Sequence, residues 1–163
     1  MARNIVLIGM PASGKSSVGK VLSKKTGFDF VDTDALIEAR ENRKISDIFA
    51  EEGEPYFRNL EVEVTKELSE KENQIISTGG GLVMNPLNVE NLRKNGMLIF
   101  LDRDVTHLIP TADRPLGDTT EKMQNLYKER FPVYTKAADR TVKVHGTIEE
   151  TAEDVWEAVN EVE

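Results

Sequence analysis

The segment from Gly9 to Ser16 constrains this chain more than any other, because its spacing fits one kind of loop. It contains the pattern GxxxxGK[ST], follows the apolar run 5–8 and precedes a stretch with helical periodicity. The two glycines allow a tight turn whose N–H groups point inward at phosphate oxygens, and the positive end of the helix dipole adds to them. In such a loop Lys15 reaches the β- and γ-phosphates, and the Ser16 hydroxyl reaches Mg²⁺. The segment therefore predicts a nucleotide-binding loop between a strand and a helix.

The composition is typical of a globular protein with one domain, spanning residues 1–163. Apolar residues make up 39% of the sequence and charged residues 31%, and there is no cysteine, which excludes a disulfide framework. The net charge of −8 argues against a nucleic-acid surface, which needs a basic excess or a dense basic stripe. No apolar segment has the length of a signal peptide or a membrane span. We therefore expect a cytoplasmic monomer without nucleic-acid or membrane partners.

Short apolar runs alternate with amphipathic stretches, which predicts an α/β fold with a parallel sheet covered by helices. The predicted strands are 4–8, 28–31, 74–77, 97–101 and 140–144, and the predicted helices are 15–25, 45–69, 86–94, 119–136 and 147–161. Ser46 and Asp47 are expected to cap the second helix, and Thr147 with Glu150 forms a capping box for the last. The segment 108–120 breaks the periodicity with prolines and a glycine, and it predicts a mobile loop.

Two aspartates, Asp32 and Asp34, follow the second predicted strand. The carboxyl ends of parallel strands face the ligand crevice, where the phosphate loop also lies. There Asp32 can hold Mg²⁺ through water, and Asp34 can accept the proton of an attacking hydroxyl. The alternative is structural, with Asp34 or Thr33 capping the helix that follows. Taken alone, these residues favour neither interpretation.

Arg58 and Glu61 lie three residues apart in the second helical region. In a helix the carboxylate can orient the guanidinium, which then forms a bidentate clamp for a substrate carboxylate. An exposed helix salt bridge is the alternative, and it is the commoner case. Glycines 79–81 follow the third predicted strand, a position that favours close backbone approach to a ligand over a simple turn.

Two further arginines are candidates for anion binding. Arg114 lies in the loop 108–120, where a closing segment would bring positive charge to the γ-phosphate and exclude water. Arg130 lies near the end of a predicted helix. The alternatives are a solvated loop residue for Arg114 and a favourable contact with the helix dipole for Arg130.

Together these residues resemble the shikimate kinase family over nearly the whole chain. The matching residues are the phosphate loop with Ser17, Val18 and Gly19, the segment 30–38, Ile48, Phe49, Gly53, Glu54, Phe57, Arg58, Glu61, glycines 79–81, the Arg114-Pro115-Leu116 segment, and Arg130-x-Pro132-x-Tyr134 with Ala138 and Asp139. The phosphate loop is shared by many enzymes, whereas the ordered set is specific to this family.

The resemblance implies a three-layer P-loop kinase fold, with a five-stranded parallel sheet in the order 2-3-1-4-5. It implies transfer of the γ-phosphate of ATP to the 3-hydroxyl of shikimate, in aromatic amino acid biosynthesis, with one Mg²⁺ ion. It also places a substrate-binding helical region at about 33–61 and a lid at about 108–120.

The family's roles transfer to matching residues of this sequence. The ATP-binding residues would be Gly9, Ala12, Ser13, Gly14, Lys15, Ser16, Ser17 and Arg114, and the metal-binding residues Ser16 and Asp32. The shikimate-binding residues would be Asp34, Arg58, Gly79, Gly80, Gly81 and Arg130, with Ile45, Phe49 and Phe57 walling the ring. Lys15, Asp34 and Arg114 would be the catalytic residues.

The sequence departs from the family pattern near the adenine, where Pro110 replaces the usual Arg and Ile148 falls where a Pro is frequent. Asn42 stands where a glycine is common, and Asn tolerates the left-handed conformation. The alternative function is a kinase of the same fold that acts on another small acceptor, such as gluconate or a nucleoside monophosphate. A non-catalytic nucleotide-binding module is disfavoured by the retained aspartates and arginines.

Overall fold

The computed structural model describes residues 4–11, 13–104 and 119–160. Within these ranges five strands alternate with seven α-helices and one 3-10 helix. The strands are β1 (Asn4–Ile8), β2 (Asp29–Asp32), β3 (Gln74–Ser77), β4 (Gly96–Asp102) and β5 (Arg140–Lys143). The α-helices are α1 (Lys15–Thr26), α2 (Thr33–Glu41), α3 (Ile45–Glu52), α4 (Glu54–Leu68), α5 (Pro86–Arg93), α6 (Thr119–Ala137) and α7 (Ile148–Asn160), and the 3-10 helix spans Leu82–Met84.

The described strands form one parallel sheet in the order β2-β3-β1-β4-β5. Strand β1 is central, with Val6 opposite Ile76 of β3 on one side and opposite Leu98 of β4 on the other. This order and the flanking helices confirm the expected fold. Because the strands are parallel, the carboxyl ends of β1, β2 and β3 meet at one edge of the sheet.

Both faces of the sheet are buried at its centre, which explains why β1, β3 and β4 are mostly continuous buried runs instead of alternating patterns, whereas the outer strands β2 and β5 are partly exposed. Val6 and Ile8 of β1 face one apolar cluster, which α4, α5 and α6 also contribute to. Ile5 and Leu7 face the opposite cluster, which is closed by α1 and α7. Every residue of β1 is buried, so the strand leading into the phosphate loop is held from both sides.

The predicted helix 45–69 is in fact two helices, α3 and α4. Gly53 separates them with φ of 87° and ψ of 166°, a conformation that L side chains rarely adopt. Pro55 then lies in the first turn of α4, where its missing N–H costs no helical hydrogen bond. The prediction of one helix was wrong because the apolar spacing continues through this break.

The start of α3 also differs from the prediction. The helix begins at Ile45 after Lys44, and the Ile45 N–H donates to the carboxylate of Glu38 in α2 at 2.9 Å. The predicted cap at Ser46 and Asp47 is therefore wrong. A carboxylate from the preceding helix satisfies the free N–H group instead.

Two other local predictions are confirmed. The Glu150 N–H donates to the Thr147 hydroxyl at 3.1 Å, and the Thr147 N–H donates to the Glu150 carboxylate at 3.4 Å, which together form the capping box of α7. Asn42 ends α2 in the left-handed conformation, with φ of 55°. In the described part of the chain, no helix combines the length and apolar character needed to cross a bilayer.

Candidate active site

Three loops meet at the edge formed by the carboxyl ends of β1, β2 and β3. They are the phosphate loop, the residues from Asp32 to Asp34, and the glycine turn, which we define as residues 79–81. A cavity of about 480 Å³ lies between them and is lined by residues of all three loops, including Lys15, Asp34 and Gly79. The topology thus brings together segments that are far apart in the sequence.

Lys15 is the first residue of α1 and is buried beneath the phosphate loop. Its Nζ donates to the carbonyl oxygens of Gly9 and Met10, each at 2.8 Å. Burial lowers the pKa of Lys15 to about 8, against the raising effects of Asp34 and Asp32. A buried ammonium bound to neutral carbonyls can exchange these contacts for stronger ones with phosphate oxygens.

The glycines of the phosphate loop occupy positions that demand them. Gly14 has φ of 96°, and a Cβ on Gly9 would lie 2.7 Å from the carbonyl oxygen of Leu101. The Ser13 hydroxyl is buried and has no hydrogen-bond partner among the described residues. Ser17 is exposed and lines the same cavity. One side of the loop is therefore closely packed against β4, and the other side opens into the cavity.

Ser16 and Asp32 form the oxygen cluster where a metal is expected. The Ser16 hydroxyl donates to Asp32 Oδ2 at 2.9 Å and lies 3.3 Å from the Ser77 hydroxyl. Asp32 Oδ1 accepts from the Ala35 N–H at 3.0 Å, so Asp32 also caps α2. Neither Asp34 nor Thr33 is the cap, which rules out that alternative.

Mg²⁺ fits this cluster by the chemistry of its donors. The ion prefers hard oxygen ligands, keeps several waters and takes one or two carboxylates. The described residues contain no group of three or more His, Cys, Asp or Glu side chains that could hold a metal. A site made from one hydroxyl and one carboxylate beside bound phosphates is therefore the type that suits these residues.

Asp34 lies in the first turn of α2 and faces the glycine turn. A Cβ on Gly79 would lie 2.6 Å from Asp34 Oδ1, so only glycine leaves room for this carboxylate. Asp34 Oδ1 is buried without a hydrogen-bond partner among the described residues. Burial, and then the charge of Asp32, raises the pKa of Asp34 to about 6, while Lys15 opposes the shift. This carboxylate is suited to receive a proton near neutral pH.

Arg58 is held by two carboxylates on its own helix, α4. Its Nη1 donates to Glu61 at 2.8 Å and its Nη2 to Glu54 at 3.2 Å. The Glu61 side chain is only 1% exposed, whereas that of Arg58 is 33% exposed. Burial raises the pKa of Glu61, against the lowering effect of Arg58. The pair is therefore not an exposed helix salt bridge, because one of its members is enclosed in the protein.

The glycine turn brings Arg58 and Arg130 to neighbouring positions. A Cβ on Gly81 would lie 2.9 Å from Nη2 and 3.0 Å from Nη1 of Arg58, and one on Gly80 would lie 3.0 Å from Nη1 of Arg130. Both arginines line a second cavity of about 570 Å³ together with Gly81. The structure thus brings two guanidinium groups, from α4 and α6, to consecutive glycines. Their binding of one substrate carboxylate stays a prediction.

Three residues that were predicted to line the ring of the substrate lie in the apolar core or against it. Ile45 and Phe49 are partly buried against the apolar cluster, and Phe57 belongs to it. The Phe49 and Phe57 rings pack with their centroids 5.0 Å apart. Their predicted contact with a substrate ring stays a prediction, since their observed contacts are those of a core.

Some predicted residues lie outside the described ranges, namely Ala12, Arg114, Pro110 and most of the expected lid. Near the expected adenine site, the Ile148 side chain is 46% exposed at the start of α7. The His145 ring nitrogen lies 2.6 Å from the Asp154 carboxylate.

Two site residues were missed by sequence reasoning. The Thr33 hydroxyl accepts a hydrogen bond from the Gly79 N–H at 3.0 Å, which joins the loops after β2 and β3. Ser77 completes the oxygen cluster around Ser16. A polar residue at the end of a buried strand, two positions before the glycine turn, was the signal that could have revealed Ser77.

The comparison with protein families identifies the chain. A family model described as "Shikimate kinase" matches residues 11–160. The chain belongs to the shikimate kinase family. A shikimate kinase of Clostridium botulinum (strain Alaska E43 / Type E3) is 43% identical over 159 residues, which cover 95% of this chain and 96% of that protein.

Solved structures of shikimate kinases agree with this assignment. The shikimate kinase from Acinetobacter baumannii in complex with shikimate superposes with a TM-score of 0.91 at 29% identity, covering 100% of this chain and 96% of that chain. The shikimate kinase from Aquifex aeolicus superposes with a TM-score of 0.84 at 38% identity, covering 98% of this chain and 97% of that chain. The family resemblance expected from the sequence is confirmed over nearly the whole chain.

Proposed function

We propose that this chain transfers the γ-phosphate of ATP to the 3-hydroxyl of shikimate, with one Mg²⁺ ion. Family membership supports the enzyme class, an ATP-dependent kinase. The observation that carries the assignment of the site is the position of Asp34. Its unpartnered carboxylate oxygen and Lys15 line one cavity, while Arg58 and Arg130 line the next one along the glycine turn. A hydroxy acid would bridge these two cavities.

The phosphate loop provides the ATP end of the site. Lys15 would leave the carbonyls of Gly9 and Met10 and bind the β- and γ-phosphates, since an ammonium is attracted more strongly by a charged oxygen than by a neutral one. Ser16 would hold Mg²⁺ directly and Asp32 would hold it through water. When bound, the ion supplies charge neutralisation on the phosphate oxygens.

The acceptor end would bind shikimate through its carboxylate. Arg58 and Arg130 lie beside consecutive glycines and can both donate to one acid group. Glu61 and Glu54 hold the guanidinium of Arg58 in place before the acceptor arrives. Prior orientation of this kind lowers the entropic cost of positioning a reactant.

In the transfer step, the 3-hydroxyl oxygen forms a bond to the γ-phosphorus while the bond from phosphorus to the bridging oxygen breaks. The electron pair of that bond stays on ADP, and the hydroxyl proton passes to Asp34. The pKa of about 6 leaves Asp34 mostly ionised at pH 7 and able to accept a proton. We also assign Arg114 the role of stabilising the transferring phosphate. Catalysis would otherwise come from positioning and charge neutralisation.

All residues assigned to the two ends come from one chain, so no residue of a second copy is needed. This supports a monomeric enzyme, which we propose acts in the cytoplasm on small-molecule substrates. The net charge of −8 supports the absence of a nucleic-acid partner.

The test is ADP release by the purified chain in the presence of Mg²⁺ and ATP, measured with shikimate, gluconate and a panel of nucleoside monophosphates. We expect release that depends on shikimate and is at least about 100-fold slower with the other acceptors, because their acid and hydroxyl groups have other spacings, which misplaces the attacking oxygen. Faster turnover of another acceptor by the folded protein would overturn the assignment of substrate.

The Asp34→Asn variant tests the assigned base. We expect kcat to fall by about 10²- to 10⁴-fold, the range for loss of a general base, while ATP binding by calorimetry changes little. A kcat close to that of the unchanged chain would remove Asp34 from this role and leave it as a group that only contacts the acceptor.

A further inference from the structure

Tyr134 of α6 is hydrogen-bonded to the glycine turn from the side of the protein core. It is 0% exposed, and its hydroxyl donates to the Gly80 carbonyl oxygen at 2.7 Å. Its ring packs on Phe100 of β4, with the centroids 5.1 Å apart. The hydroxyl is therefore fixed by a ring that is itself enclosed in the core.

This hydrogen bond fixes the orientation of a whole peptide group. In a trans peptide the carbonyl of Gly80 and the N–H of Gly81 point in opposite directions, and the described residues contain no cis peptide bond. With the carbonyl held by Tyr134, the Gly81 N–H points away from the core. No described residue accepts a hydrogen bond from this N–H.

Tyr134 also lies near Arg130, one helical turn earlier on α6. Burial raises the pKa of Tyr134, and the charge of Arg130 opposes the shift. A Cβ on Gly80 would lie 3.0 Å from Nη1 of Arg130 on one side and 3.0 Å from the Pro11 ring on the other. Gly80, whose carbonyl oxygen accepts from Tyr134, therefore also lies beside the guanidinium of Arg130.

We propose that Tyr134 is a positioning residue for the acceptor, whose hydroxyl holds the Gly80–Gly81 peptide beside the Arg130 guanidinium, so that the Gly81 N–H donates to the carboxylate that Arg130 also binds. This inference rests on the proposed function, because it takes shikimate as the acceptor. Tyr134 does not touch the substrate; it acts through the Gly80–Gly81 peptide, which does.

The Tyr134→Phe variant tests this role, because it removes the hydroxyl and keeps the ring. We expect the KM and Kd for shikimate to rise about 2- to 12-fold, the effect of one hydrogen bond, while the KM for ATP stays the same. The matched control is Tyr127→Phe on the same helix, whose hydroxyl donates to Asp102 at 2.8 Å. That control should leave the KM for shikimate unchanged.

Binding of an analogue that carries a hydroxymethyl group in place of the carboxylate separates positioning from general damage. Tyr134→Phe should reduce the preference for shikimate over this analogue by the same 2- to 12-fold, measured by calorimetry, and Tyr127→Phe should not. Equal weakening of both compounds, or no change in either, would overturn the proposal.

The two proposals fail in different ways. If the function is wrong, the unchanged chain will not turn over shikimate. If the role of Tyr134 is wrong, the unchanged chain will turn over shikimate, and the preference for the carboxylate will be the same with and without the hydroxyl.

Discussion

The crevice has a cationic side chain at each end, Lys15 at the ATP end and Arg58 at the acceptor end, and the two are held by different kinds of group. Lys15 is buried, is bound by neutral carbonyls of its own loop, and has a lowered pKa. Arg58 is one-third exposed and bound by two carboxylates. Its pKa is lowered by burial but raised more by Glu61 and Glu54, so the net shift is upward.

The difference matches what each end must do. A cation bound only to neutral carbonyls loses weak contacts when it binds a polyanion, so most of its electrostatic attraction is available to the ligand. A cation that is already paired is oriented in advance but brings less free charge to a single acid group. The ATP end therefore contributes mainly electrostatic attraction to its ligand, and the acceptor end contributes mainly a fixed orientation of its cation.

Of substitutions at the two cationic ends, Lys15→Met is expected to have the largest effect. Removal of one preorganised donor to transition-state charge should lower kcat by about 10²- to 10³-fold. The free energy of unfolding at pH 7 should stay level or rise, because a buried charge with a depressed pKa opposes folding. Urea unfolding followed by circular dichroism checks this, and a clear loss of stability would break the contrast with Arg58.

Arg58→Met should give the opposite pattern. The KM for shikimate should rise about 10- to 100-fold with the KM for ATP unchanged, because a hydrogen-bonded charge pair to the acceptor is lost. Stability should fall by about 1–3 kcal/mol, since Glu61 is left buried without its partner.

The stability loss of Arg58→Met should also depend on pH. The folded-state pKa of Glu61 is already raised, and removing Arg58 raises it further, so the folded variant favours the protonated acid. Stability is then retained below the unfolded pKa of about 4.5 and is lost as the pH rises through the folded pKa. The control, Arg40→Met, removes an exposed pair with Glu67 and should cost about 0–1 kcal/mol with little pH dependence.

The pH profile of kcat/KM tests both ends together. Activity should rise by about tenfold per unit up to pH 6, where Asp34 ionises, and should fall above about pH 8, where Lys15 loses its proton. Asp34→Asn should remove the acidic limb and leave the alkaline one. An acidic limb that survives this substitution would assign it to another group.

The smallest effect is expected from Ser13→Ala. The buried hydroxyl has no partner among the described residues, and we expect it to find one when nucleotide is bound. The KM for ATP should then rise about 2- to 10-fold, while the KM for shikimate stays the same. An unchanged KM for ATP would show that the hydroxyl plays no part at the phosphate end.

The phosphate end could be predicted from the sequence because it is local. Its glycines, Lys15 and Ser16 lie within eight consecutive positions, and their spacing alone implies the turn and the helix dipole. The central strands were equally predictable, because two buried faces leave nearly continuous apolar runs in β1 and β4.

The acceptor end was harder to predict from the sequence, because the residues that contact one another there are far apart in the chain. The pairing of Arg58 and Glu61 follows from helical spacing, but the burial of Glu61 depends on the packing of α4. The bond from Tyr134 to Gly80 spans 54 residues and has no local signal. The break at Gly53 was missed for a related reason, since the apolar spacing on both sides serves the same core.

The position of β2 at the margin of the sheet has an evolutionary consequence. The segment that contains α2, α3 and α4 leaves this outer strand and returns to its inner neighbour, β3. Insertions or replacements in this segment leave the order of the central strands unchanged. Selection can therefore change the part of acceptor recognition that this segment carries, including Arg58, while the phosphate loop is inherited intact.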